Sequence, residues 1–123
     1  TAAAINNSGG VAGFCAGPGQ VTEGFYQRPG GQVSVLRVPG ATMTEALGVN
    51  DNGEVVGAYR TGRGSGAVTR GFTWTRGHGF ATVTGPGGAV STTISGVNNA
   101  GDLVGFYVSR AGGTDGLVAT PEG

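Results

Sequence analysis

Lysine is absent from this chain, histidine and cysteine occur once each, and only 11% of the 123 residues are charged. Seven Arg balance seven acidic residues, so no positive field exists to gather phosphate backbones, and nucleic acid is not expected as a partner. One cysteine, Cys15, excludes an internal disulfide framework. It aligns with Tyr59 and Tyr107 in the repeat described below, so a small buried thiol is expected, an intermolecular disulfide or reactive site being the alternative. No run of about 18 apolar residues occurs, so no membrane insertion is expected. The chain opens at Thr1 without Met or an apolar leader, which fits a processed mature form or a trimmed one. Apolar 3.6-residue periodicity is also missing beyond a turn or two, so almost no helix is expected.

Glycine is abundant, at 28 residues, without the Gly-X-Y period or proline content of collagen. The apolar fraction of 37% suffices for one modest core, and Val, Ile and aromatic residues recur regularly, unlike in a disordered chain. "GVNDNGEVVGAYR" from Gly48 has near copies in "AINNSGGVAGFC" from Ala4 and "GVNNAGDLVGFYV" from Gly96. A second block repeats in step with it, "TEGFYQ" from Thr22, "TRGFTWT" from Thr69 and "TDGLVAT" from Thr114. The period is about 46 residues, in the range of propeller blades. One repeat domain is expected over 1–123, with units of about 1–44, 45–91 and 92–123.

Within each unit, Val, Ile, Thr, Tyr and Phe mark strands, and five residues separate the first strand from the second. "NNSGG", "NDNGE" and "NNAGD" read as tight hairpin turns, opened by Asn6, Asn50 and Asn98 and carrying Gly9, Gly53 and Gly101, for which positive φ is predicted. The fold class is all-β, with about three four-stranded antiparallel meanders arranged as β-propeller-like blades or an open β-repeat array. Strands are predicted near 2–6, 10–15, 23–28, 32–38, 45–50, 54–60, 70–75, 79–84, 92–97, 102–108 and 115–119. The last unit lacks its fourth strand, which would begin at "TPEG".

The pattern N-[ND]-x-G-x-[VL]-[VA]-G-[FA]-[YC], followed by x-G-[FL] and a V-PG-A turn, resembles the HAF family of extracellular repeats across nearly the whole chain. This chain carries Glu23, Arg70 and Asp115 where that family has His before Gly-Phe or Ala-Phe. The resemblance implies a bacterial protein, located extracellularly or at the cell surface, and it implies no reaction.

The residues offer little catalytic chemistry. His78 stands between two glycines in a hairpin, with no nucleophile or orienting acid assignable to it. No nucleophile elbow, paired-His metal motif or P-loop occurs, and no enzyme is expected. Asp51, Asn52 and Glu54, with Asn50, are hard oxygen donors suited to calcium. The other copies do not keep that charge, so turn chemistry is favoured over an ion and no cofactor is expected. Trp74 and Tyr26 are the candidate residues for stacking on a glycan. Asn6-Asn7-Ser8 is a glycosylation sequon.

A four-stranded unit cannot bury both faces alone, and closed propellers hold four to eight blades. Three outcomes are therefore open: copies of the chain complete a ring, copies add head to tail into a fibre, or the chain is a piece of a longer propeller. Other copies of the chain are the expected partners. The candidate self-association residues are Ala2, Ala3, Ala4 and Ile5 of the first strand and Leu117 and Val118 of the last. A propeller-type module that binds carbohydrate through loops such as "RTGRGSGAVTR" is the alternative.

Overall fold

The computed structural model describes residues 1–17, 19, 21–62 and 64–120. The final "PEG" of the expected twelfth strand and Arg63 of the "RTGRGSGAVTR" loop lie outside the described residues.

Eleven strands form one curled, open sheet, with nine along its main path. They are β1 (Ala2–Ile5), β2 (Val11–Ala16), β3 (Thr22–Gln27), β4 (Val33–Leu36), β5 (Met43–Val49), β6 (Val55–Thr61), β7 (Val68–Thr75), β8 (Gly79–Val83), β9 (Ser91–Val97), β10 (Leu103–Val108) and β11 (Thr114–Ala119). Every expected strand is found, with bounds shifted by at most two residues. Among the described residues helix is confined to 3-10 geometry, in the turn Gly64–Gly66 and at Gly19.

The pairing repeats with the sequence. β1-β2-β3-β4 and β5-β6-β7-β8 are antiparallel meanders, and β9-β10-β11 repeats the first three strands. Each meander joins the next through one parallel bridge, Thr22 to Met43 and Thr69 to Ser91. Every first strand bulges, leaving Ala3, Leu47 and Ser95 without an opposite residue. Gly13, Gly57 and Gly105 stand beside these bulges, and a Cβ at Gly57 would overlap the Glu45 carbonyl oxygen. Glycine is needed there for close backbone approach.

Two threonines fix the crossing into the next unit. The Thr44 hydroxyl accepts from the Val38 N–H at 3.2 Å, and the equivalent Thr92 hydroxyl accepts from the Gly85 N–H at 2.8 Å. Both threonines are buried, and these bonds satisfy hydroxyls that would otherwise cost stability.

The core lies between units. Cross-strand partners share a face of the sheet, so Val55, Trp74 and Phe80 look back toward unit one, while Val56 looks onward to unit three. Ala12, Tyr26 and Leu36 pack against Val49, Val55, Tyr59 and Phe72 at the first junction. Val56, Ile94 and Leu103 form the second. Full burial of a residue such as Val56 contributes about 1.5–3 kcal/mol. The middle unit is thus covered on both faces and each end unit on one.

Candidate functional site

The hairpin turns between first and second strands stack upon one another. Gly9, Gly53 and Gly101 have φ of 89°, 79° and 87°, a backbone that only glycine adopts without strain. In each turn the leading Asn closes the loop through its side-chain oxygen. Asn50 Oδ1 accepts from the N–H groups of Asn52 at 3.0 Å and Glu54 at 2.9 Å, and Asn6 and Asn98 repeat the arrangement.

The amide nitrogen of the same side chain reaches the next unit. Asn6 Nδ2 donates to the Asn50 carbonyl at 2.9 Å, and Asn50 Nδ2 donates to the Asn98 carbonyl at 3.0 Å. A second rail runs beside the first. The Asn7 N–H donates to Asp51 Oδ1 at 2.7 Å, and the Asp51 N–H donates to Asn99 Oδ1 at 2.8 Å. An amide can accept within its own turn and donate to the next, whereas a carboxylate only accepts, so Asp could not replace Asn at the first position.

Asp51 Oδ2 also accepts from Asn7 Nδ2 at 3.1 Å and Asn99 Nδ2 at 2.9 Å. The Asn7 backbone N–H chiefly, then the Asn99 amide, holds the Asp51 carboxyl below the ordinary carboxylate range, against a smaller opposing effect of burial. The calcium candidates are thus divided among separate bonds: Asp51 serves the ladder, Asn52 Nδ2 donates to the Asn99 carbonyl at 3.3 Å, and Glu54 Oε1 accepts from Asn50 Nδ2 at 3.2 Å. Among the described residues no group of three or more His, Cys, Asp or Glu is placed to hold a metal ion.

Tyr26 and Trp74 do come together, at the junction of units one and two. Their ring centroids are 6.2 Å apart in an edge-on arrangement, with Tyr26 buried and Trp74 half-buried. Sequence could not show this contact, because the two residues are not repeat-equivalent. His78 is exposed, its Nδ1 3.2 Å from Thr75 Oγ1. Asn6 of the sequon is engaged through both ends of its amide.

Cys15 departs from expectation. Its thiol is exposed rather than buried. The repeat-equivalent Tyr59 is buried because unit one covers that face of unit two, whereas among the described residues no unit covers the corresponding face of unit one.

At the opposite end of the strands from the turns, Gly19, Val21, Thr42, Arg60, Gly62, Gly64 and Ala67 surround an open cleft of about 460 Å³. The end strands hold the remaining candidates: Ala2, Ala3 and Ile5 are exposed and Ala4 half-buried on β1, while Val118 is exposed and Leu117 half-buried on β11. The path of the sheet begins at β1 and finishes at β11. Comparison of the chain with protein-family models, curated proteins and solved structures found no match.

Proposed function

We propose that this chain is a non-enzymatic structural repeat protein, extracellular or at the cell surface, that associates with further copies of itself through its sheet edges into a ring or a fibre. The observation that supports this reading is that, among the described residues, β1 and β11 at the two ends of the strand path each pair on one side only. Such edges template pairing with another chain, and the small side chains of Ala2 to Ala4 allow close approach. The extracellular placement follows from the resemblance to HAF repeats. Sedimentation velocity over a wide concentration range tests the reading, with mass expected to rise above that of one chain. Deleting residues 1–5 should abolish association and leave units two and three folded. Equal assembly by the truncated chain would rule out the role given to the first strand.

The loop cleft favours a second reading, a carbohydrate-binding module. Arg60 and Thr42 supply hydrogen-bonding groups beside apolar Val21 and Ala67 in a space large enough for a sugar ring. A monomeric chain with glycan-array signal lost in Arg60→Ala would support this reading over assembly.

A further inference from the structure

Among the described residues, seven large apolar side chains are markedly exposed, and six of them occupy just two faces. Ile5, Val33 and Val35 lie on the backward face of unit one. The register Ile5 to Val11, Val11 to Gln27 and Gln27 to Val33 places the first two there, and Gly13 to Phe25 to Val35 places the third. Val104, Phe106 and Val118 lie on the onward face of unit three, where Val104 faces Val118 and Phe106 faces Gly116.

These are the two kinds of face that meet within the chain. Val56, the counterpart of Val104 one unit earlier, is 0% exposed, against 47% for Val104. Ala12, the counterpart in unit one, is likewise fully buried. The backbone agrees with the side chains. A Cβ on Gly24 would meet the Ala46 N at 3.4 Å, and one on Gly71 would meet Ile94 Cγ1 at 2.7 Å, because the next unit's first strand crosses directly over each glycine. A Cβ on the equivalent Gly116 meets no atom of the described residues within 4 Å.

We propose that these outer faces are the two halves of one junction, and that a second copy of this chain docks head to tail, its unit one seated on unit three of the first. This rests on the self-association proposed above and adds the outer faces of units one and three to the β1 and β11 edges, as the junctions inside the chain combine a strand bridge with face packing. The asparagine ladder sets the register. Asn98 Nδ2 and the Asn99 N–H stand where Asn50 Nδ2 and the Asp51 N–H reach the next unit, and the partner would offer its Asn6 carbonyl and Asn7 side-chain oxygen as Asn98 and Asn99 do inside the chain. Asn98, Asn99 and Asn7 are all exposed. Two copies would bring six units together, a number inside the four-to-eight range of closed β-propellers.

The test uses two single variants of the full chain at exposed positions. Phe106→Arg spoils the onward face alone, and Val35→Arg spoils the backward face alone. In sedimentation velocity each variant by itself should associate at least tenfold more weakly than the unaltered chain. An equimolar mixture should recover a two-chain complex, since each variant keeps the face the other has lost. Weakening by only one variant, by neither, or no complex in the mixture overturns head-to-tail docking while self-association stands. An unaltered chain that stays monomeric at every concentration overturns both. Circular dichroism matching the unaltered chain confirms that each variant is folded, and Val104→Arg and Val33→Arg replace any that is not.

Discussion

The side-chain amide of Asn50 donates to the carbonyl of Asn98, 48 residues further along the chain, at 3.0 Å, while its oxygen closes its own turn. One residue therefore carries local turn chemistry and contact between units. Asn50 is almost wholly buried, between the turns of units one and three.

Replacing Asn50 by Asp separates these two roles. The carboxylate still accepts from the turn N–H groups but cannot donate to Asn98, and it places a charge near that carbonyl and beside Glu54. The expected loss is about 1–3 kcal/mol, the range for a buried polar group left without its partner. Urea unfolding of Asn50→Asp checks it; a midpoint equal to that of the unaltered chain would deny the ladder any energetic weight.

Acid should loosen the second rail. The Asp51 carboxyl is held below its ordinary range, by the Asn7 N–H above all. A depressed folded-state pKa means that the stabilisation is complete above the unfolded value, about 3.9 for Asp, and is lost as pH falls through the folded value. The thermal midpoint of the unaltered chain should therefore decline below about pH 4 more steeply than that of Asp51→Asn. Parallel curves for the two proteins would show that Asp51 does not contribute to the acid transition.

Gly71 and Gly116 hold the same place in successive units, yet only Gly71 has a strand crossing over it. Gly71→Ala should cost about 1–3 kcal/mol, because Ile94 is buried and cannot yield freely. Gly116→Ala, with open space around it and an ordinary backbone, should change the stability of the single chain little. Thermal melting of both variants at low concentration distinguishes them, and equal losses would contradict the repeat-on-repeat packing.

Strand positions were legible because β-branched and aromatic residues, broken by Asn-Gly turns, specify extended backbone locally. The positive φ of Gly9, Gly53 and Gly101 was legible for the same reason. The ladder was not, although Asn6, Asn50 and Asn98 were in plain view. An Asn that closes its own turn and an Asn that also reaches the next unit look alike in sequence, and only the stacking separates them. Glycines in the middle of second strands, such as Gly57, mark the bulges only once the strand register is known. Cys15 was misplaced because repeat equivalence predicts burial only where both faces of a unit have neighbours.

Coverage on both faces for the middle unit and on one for each outer unit sets an order of loosening. Amides of β5, β6 and β7 should exchange hydrogen most slowly, and those of β1 and β11 should fray first, since local opening follows the contacts that must be broken. Any contact that turned an outer unit into an inner one would stiffen it without altering its sequence.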